Sequence, residues 1–353
     1  MFYIFLVFLS LIFLIILHEL SHFIAAKKSG LQVEEFGIGY PPRLFARKFG
    51  GTVYSLNLIP LGAFVKLPGE IGEGGFSSLP LFKRMIIVLA GVISFWIIAW
   101  VIFSFVFLMG IPASISDEEF SREAKVMIVD VAKNSPAQMA NLKVGDVILK
   151  VKTKEGEFII SKVKDFQDAI QKFKGEKVIL SIERNKNVFD AEIVPRIQTP
   201  PNEGPVGVYI VRTEVKKYSF LQAIFEGLKT TGNWTLEVIK GYIFVIKNIT
   251  KGASSQVELM GPVGIVNILY QTSQIGLNYF LNLLAIISIH LAIFNLLPIP
   301  ALDGGKFLFL VIEGIRKKPI NPVIEYKITA LSFLILIILA ILVTFKDVMK
   351  IFE

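Results

Sequence analysis

His18-Glu19-Leu20-Ser21-His22 places two imidazoles four residues apart, with a carboxylate beside the first. On a helix of 3.6 residues per turn the two histidines share one face, about one turn apart. That spacing lets both reach one Zn²⁺, the expected cofactor. Glu19 sits beside them, placed to take a proton from water that a metal acidifies to a pKa of ~7. Glu19 is therefore the candidate general base, and His18 and His22 are candidate metal ligands. Two of the chain's three histidines fall in this one pentapeptide.

A catalytic zinc usually takes three protein ligands and keeps a position for water. The chain has no cysteine, which excludes thiolate ligands, thiolate nucleophiles and disulfides. Two candidates stand in a later apolar stretch, His290 and Asp303. Asp303 follows Asn295-Leu296-Leu297-Pro298-Ile299-Pro300-Ala301-Leu302 and precedes Gly304-Gly305. Two prolines spaced by one residue break a helix, and the tandem glycines permit a tight turn. A carboxylate in such a break wants a cation, which favours Asp303. His290 lies on continuous helix about three turns earlier and stays open as the alternative.

The elements that must position these groups are apolar. Of 353 residues, 53% are hydrophobic and 19% charged, against about 25% charged in ordinary domains. Four stretches are long enough to cross a bilayer, which takes ~20 apolar residues. They are Met1 to about Ala26, Met85–Ser116, Leu259–Leu302 and Ile328–Phe345. The first lacks a positive leader and exceeds the ~7–15-residue apolar run of a signal peptide, so it reads as a retained helix. His18 then lies within the inner leaflet. An ionised glutamate at the centre of a span costs on the order of 3 kcal/mol, less near an end, so a fraying helix end is the poorer explanation of Glu19.

Orientation follows from Lys and Arg in the short loops. Lys27, Lys28, Arg43, Arg47, Lys48, Lys66, Lys83 and Arg84 lie between spans one and two; Lys306, Arg316, Lys317 and Lys318 lie between spans three and four. Both loops are expected to be cytoplasmic, with both termini on the other side. Residues 117–217 hold 18 of the 37 Lys/Arg and 16 of the 29 Asp/Glu, and mark a polar domain inserted on the outer side. A net charge of +8 without a basic recognition helix argues against nucleic acid as a partner.

Within the polar domain, Lys125–Val131, Val147–Lys152, Lys177–Glu183 and Val188–Val194 read as strands. Asp165–Lys174 reads as a helix with Asp165 as N-cap. Asn134-Ser135-Pro136 signals a turn into a helix. Phe220–Ile249 is amphipathic and is expected to lie on the membrane surface. In Thr52–Lys66, Tyr54, Leu56 and Leu58 alternate with Ser55 and Asn57 before Pro60 and Gly62. This reads as a short hairpin dipping into the membrane, whose open edge holds an extended substrate by strand addition. The alternative is a cytoplasmic hairpin packed on the first helix.

The chain resembles the site-2 proteases, intramembrane zinc metalloproteases, and most of all their PDZ-containing bacterial branch, the regulator of sigma-E protease group. His18-Glu19-Leu20-Ser21-His22 is similar to the family's zinc motif. Residues 295–305 are similar to its N-x-x-P-x-P-x-x-D-G motif, with Asp303 at the third ligand. Glu35-Phe36-Gly37-Ile38-Gly39, the loop from Pro60 to Val65 and Gly261-Pro262-Val263-Gly264-Ile265 look familial. Ser135-Pro136-Ala137 with Gly145-Asp146-Val147-Ile148 resembles a circularly permuted bacterial PDZ domain. Two departures stand out. After Ala90-Gly91 the family often has Pro and, three residues on, Asn; here Val92 and Phe95 stand there. Many relatives have Asn where His290 stands.

The resemblance implies a polytopic α-helical membrane protein. It has four transmembrane helices, a membrane-associated β-hairpin and an inserted extracytoplasmic α+β PDZ domain. The implied boundaries are 1–112 for the first membrane half, 113–218 for the PDZ domain, 219–258 for the amphipathic segment and 259–353 for the second half. It implies regulated intramembrane proteolysis of single-span membrane proteins in the bacterial inner membrane, among lipid. Anti-sigma factors and remnant signal peptides are the implied substrates. Asn295 joins Tyr54, Leu56 and Leu58 as an implied substrate-binding residue. A PDZ membrane scaffold with a structural zinc is the competing reading, and the intact Glu19 argues against it.

Overall fold

The computed structural model describes residues 2–69, 74–121, 123–184, 187–201, 203–250 and 260–352. It divides into two compact units. The first combines residues 1–105, 221–274 and 279–353, and the second combines 106–220 with 275–278.

The first unit opens with α1 (Phe2–Lys28), apolar on all sides until His18. Lys27 and Lys28 complement the negative end of its dipole. Gly30, at φ +89°, ends it, with the Leu31 N–H reaching back to the Ala26 carbonyl at 3.0 Å. Then come β1 (Glu35–Phe49), β2 (Thr52–Lys66) and α2 (Leu81–Met109). Four described helices are long and apolar enough to cross a bilayer: α1, α2, and the later Leu277–Leu296 and Pro322–Met349. The protein is thus a membrane protein with β structure.

β1 and β2 each bend in the middle, at cis-bonded Pro41-Pro42 and at Pro60-Leu61-Gly62, and so make four arms. Residues 35–38 pair with 66–63, with residue numbers running in opposite senses. Residues 43–49 pair with 57–52 in the same way. Residues 35–38 also lie beside 53–56 with numbers rising together. The arm order is therefore 63–66, 35–38, 53–56, 43–49. This corrects the expected hairpin in Thr52–Lys66. Tyr54 is paired to both Phe36 and Arg47, and Leu56 to both Ile38 and Phe45, so neither offers an open backbone edge. Among the described residues the open edges belong to 63–66 and 43–49.

The sheet runs along α1. A Cβ at Gly50 would lie 4.0 Å from Lys27 Nζ, and one at Gly62 would lie 3.6 Å from Ile15. The bend at Gly62 thus reaches α1 one turn before Glu19. Inside the sheet, buried Glu35 accepts hydrogen bonds from Arg43 and from Ser55 Oγ, the latter at 2.7 Å. Asn57 Nδ2 donates to the Gly39 carbonyl at 3.1 Å.

The second unit holds β3 (Ile111–Ser114), β4 (Lys125–Val131), α3 (Pro136–Met139), β5 (Val147–Thr153), β6 (Gly156–Ile159), α4 (Val163–Lys172), β7 (Val178–Arg184), β8 (Asn187–Ile193) and β9 (Val208–Lys216). Sheet order is β3-β9-β4-β5-β7-β8, with β6 on β5. Alternating residues such as Val126, Ile128, Leu180 and Ile182 bury one face against Phe166, Ile170 and Phe173 of and next to α4. Two expectations change here. The apolar stretch to Ser116 is not all helix: α2 stops at Met109, Gly110 turns at φ +96°, and 111–114 join the sheet. Asp165 is not the N-cap of α4 but stands inside its first turn. Its carboxylate accepts from the Ser161 and Lys162 N–H groups at 3.1 and 2.9 Å.

The first unit resumes with α5 (Phe220–Thr250), α6 (Pro262–Ile275), α7 (Leu277–Leu296), α8 (Asp303–Arg316) and α9 (Pro322–Phe352). The end of the expected amphipathic segment, 251–258, lies outside the described residues. α5 packs along α2. Trp96, midway along α2, donates Nε1–H to Thr235 Oγ1 at 3.1 Å, and Trp100 donates to the Ile224 carbonyl at 3.0 Å. The length of the third apolar stretch is explained by two helices, with Gly276 between α6 and α7.

Candidate active site

The first turn of α8 faces the last turns of α1. His18 Nε2 and His22 Nε2 are 3.3 Å apart, and they lie 3.5 and 3.3 Å from Asp303 Oδ2. The three atoms form a nearly equilateral triangle. Zinc bonds of ~2.0–2.2 Å at tetrahedral angles hold ligand atoms about 3.3–3.5 Å apart, so the triangle has the size of one zinc coordination face.

The hydrogen bonds fit a metal as well. His22 Nδ1 lies 2.8 Å from the Ile87 carbonyl, which places the ring proton on Nδ1 and turns the Nε2 lone pair inward. Nε2 and Asp303 Oδ2 are then two acceptors facing each other. Asp303 Oδ2 is buried and has no hydrogen-bond donor. A buried carboxylate oxygen in that position calls for a cation.

Three glycines let the backbones close in. A Cβ at Gly91 of α2 would lie 2.2 Å from His22 Nε2 and 2.5 Å from His18 Cε1. A Cβ at Gly304 would lie 2.2 Å from the Leu296 carbonyl oxygen, and one at Gly305 equally close to that of Ile299. The Pro298-Ile299-Pro300 loop thus folds directly onto the start of α8, which is what brings Asp303 to the histidines. From the other side Phe95 stacks on His18, with centroids 4.6 Å apart and planes 17° apart. Phe95 is itself anchored, its carbonyl accepting from Ser288 Oγ of α7 at 2.8 Å.

A cavity opens beside the triangle. Glu19, His22, Asp303 and Lys306 are its polar lining; Val65, Leu67, Phe76, Ile87 and Val88 are apolar. Tyr40 lies near enough to sense Glu19. Its phenol is pushed up, first by burial and then by the Glu19 charge.

His290 is not in this group. Ser288 faces α2, and a residue two positions on points to the opposite side of a helix. His290 is exposed there beside Tyr242 of α5, with ring centroids 6.1 Å apart. Asn295 turns back into its own helix, Nδ2 donating to the Leu291 carbonyl at 2.9 Å. Tyr54 packs on Phe23 and Phe36, while Leu56 and Leu58 are about half exposed. Sequence reasoning missed the Ile87 carbonyl, the Phe95 stack and Lys306. A glycine inside the apolar run of α2 was the one signal that pointed at Gly91.

Residues 6–339 match the model of Peptidase family M50. The chain belongs to peptidase family M50. It is a zinc metalloprotease of the site-2 type, and its cofactor is Zn²⁺. A Clostridium perfringens protein named "putative zinc metalloprotease" is 34% identical over 95% of each chain. Zinc metalloprotease RasP of Geobacillus kaustophilus is 27% identical over 96% of each chain. The regulator of sigma E protease of Haemophilus influenzae is 24% identical, again over 96% of each. With family membership the scaffold reading falls away.

Proposed function

We propose that this metalloprotease hydrolyses peptide bonds within the transmembrane segments of single-span membrane proteins. The observation that carries the reading is the position of the site. His18, Glu19 and His22 sit on an apolar helix long enough to span a bilayer, and Asp303 meets them from the start of α8, beside a cavity that a sheet edge borders. His18, His22 and Asp303 are the proposed ligands and Glu19 the general base.

A bound zinc ion supplies Lewis acidity, acidifying water and polarising a carbonyl. Glu19 takes the proton of the attacking water and passes it to the leaving amine. Gly91 and Phe95 hold the histidine rings, and the Ile87 carbonyl fixes the tautomer of His22. Val65, Phe76 and Val88 form part of the apolar wall of the cavity.

A substrate helix must unwind before its carbonyls can react. Strand addition remains the proposed means, but on a different arm. Residues 63–66 form an open edge, and Val65 lines the cavity. A substrate strand there pairs with 63–66 and passes the metal. Leu56 and Leu58 contribute side-chain contact only. Asn295 serves substrate only by leaving its bond to Leu291.

The second unit is proposed as a PDZ domain, extracytoplasmic together with both termini, in a bacterial inner membrane. The boundaries 113–218 carry over to it, as do 1–112, 219–258 and 259–353 to the membrane parts. β3 already covers β9 from Thr213 to Lys216, which favours excluding bulky partners over binding long peptides along that edge. Anti-sigma factors and remnant signal peptides are the proposed substrates, the first supported by the name of the Haemophilus relative. Membrane proteomics of wild type against Glu19→Gln tests the reading. Trimmed single-span fragments are expected to accumulate in the variant while its zinc content stays unchanged. An unchanged profile would overturn it.

A further inference from the structure

Arg84 and Glu313 take no part in the chemistry above, yet they form a forked ion pair between α2 and α8. Arg84 donates through Nη1 and Nη2 to the two carboxylate oxygens of Glu313, at 2.9 and 2.5 Å. Its Nε–H donates to the Leu79 carbonyl at 3.1 Å, which anchors the guanidinium to the chain entering α2. The two side chains are only 11% and 20% exposed, so salt and water screen the pair little.

The helices it joins are the two that bring distant groups to the histidines. On α2, Arg84, Val88, Gly91 and Phe95 recur at steps of three and four residues and share one face. Gly91 and Phe95 are the members of that row that touch the histidine rings. On α8, Asp303, Phe307, Leu310 and Gly314 form a row in the same way, with Glu313 beside its end. Phe307 and Leu310 pack in one cluster with Ile87 and Val88 of α2. A Cβ at Gly314 would lie 2.8 Å from Leu81 Cδ2, so the end of α8 meets the start of α2 closely. α8 is thus tied at its first turn, beside the histidines, and again at the ion pair, about 15 Å along its axis.

The apolar contact between those two ties does not fix register sharply. A helix that slides by a fraction of an ångström keeps most of its buried area, and burial is non-directional. A forked arginine–carboxylate pair has one good geometry. Stability does not account for the pair, because a buried ion pair often does no better than apolar residues of the same volume. Register is what it supplies. Register matters at Asp303 because metal–ligand distances hold to within ~0.2 Å. The Pro298-Ile299-Pro300 loop also interrupts the helix before Asp303, so α7 does not set that position by continuous backbone.

We propose that Arg84 and Glu313 are positioning residues that set the register of α8 on α2 and so hold Asp303 at the metal. The inference rests on the proposed role of Asp303 as a zinc ligand.

The test uses full-length protein in detergent and compares Arg84→Lys with the double variant Arg84→Met/Glu313→Leu. The double variant removes both charges and keeps similar volume, so neither partner is left buried alone. Three quantities are read: the zinc dissociation constant by chelator competition, the visible absorption of the cobalt(II)-loaded protein, and the melting temperature of the metal-free protein. The double variant is expected to melt within a few degrees of wild type, or higher. Its zinc affinity falls about 10–100-fold, and its cobalt bands shift as the ligand geometry loosens. Arg84→Lys keeps the charge without the fork and falls between the two. Wild-type zinc affinity and cobalt bands in the double variant overturn the proposal. So does a melting temperature that falls in step with zinc affinity, which would make the pair a general support of the fold. Asp303→Ala separates the two levels. Full zinc in that variant sinks the ligand reading itself, whereas zinc lost there and kept in the pair variants overturns the positioning role alone.

Discussion

The ring of Phe95 lies flat on the ring of His18, centroids 4.6 Å apart. His22 is oriented by a hydrogen bond to the Ile87 carbonyl, but His18 Nδ1 is buried without a partner. Metal-binding histidines normally hand their second N–H to an acceptor. Here an aromatic face does the orienting for one of the two. An offset stack contributes about 0.5–1.5 kcal/mol beyond its buried area. Phe95→Ala is therefore expected to weaken zinc binding by roughly 3–10-fold, measured by competition with a chelator. An unchanged dissociation constant would mean that α1 packing alone holds His18.

Gly91→Ala attacks the same face by contact. Its Cβ would meet His22 Nε2 at 2.2 Å and His18 Cε1 at 2.5 Å. Both rings carry proposed ligand atoms, so a retreat of either would break up the triangle. The variant is expected to be purified with less than about a tenth of the wild-type zinc, since a misplaced ligand usually costs 10–100-fold in affinity. Gly232→Ala and Gly241→Ala in α5 are the controls. Nothing lies within 4 Å of a Cβ at either position, so both should hold full zinc and gain helix stability, by up to about 1 kcal/mol.

Much of this site is legible in the order of residues. The spacing of His18 and His22 needs only a helix to bring them together, and the apolar run around them supplies one. Asp303 is legible because two prolines and two glycines announce a broken backbone in an apolar stretch. What the sequence leaves open arises from chain segments far apart. Phe95 and Ile87 meet the histidines only because α2 crosses α1 at Gly91. The arms of the sheet are hidden for a similar reason. Alternation in Tyr54–Leu58 reveals a strand but not its neighbours, and strands 35–38 and 43–49 take up both of its sides. The packing of α5 on α2 is hidden in the same way, since it rests on Trp96 and Trp100, whose indole N–H groups find acceptors on that helix.

The arm order makes a sharp prediction about substrate. The chain has no cysteine, so single cysteines report position without background. Val65→Cys lies on the open arm and lines the cavity. It is expected to form a disulfide with a cysteine placed near the cleavage site of a bound reporter. Phe45→Cys, on the opposite open edge, and Ser55→Cys, buried between two arms, are expected not to. Cross-linking at Ser55→Cys in place of Val65→Cys would require the sheet to open and would refute edge addition at 63–66.

The second unit holds an ion pair with a fully buried carboxylate. Asp146 is fully buried and accepts from Arg184 Nε and Nη2, both at 2.6 Å, and from the Lys143 N–H at 2.9 Å. The carboxylate pushes the Arg184 guanidinium above its usual range, so the arginine keeps its charge. Asp146→Asn leaves a guanidinium with its main partner gone. Removing one member of a buried pair costs about 3–5 kcal/mol; a quarter of the Arg184 side chain is open to solvent, at 26%, so about 2–4 kcal/mol is expected. Hydrogen exchange on the full-length protein reads this directly, as a loss of amide protection in β5 and β7 of roughly 30- to 1,000-fold. Glu192→Gln, which breaks an exposed pair with Lys177, should change protection by no more than about 0.5 kcal/mol. Equal effects of the two substitutions would show that Asp146 is not what holds the turn at Gly145 to β7.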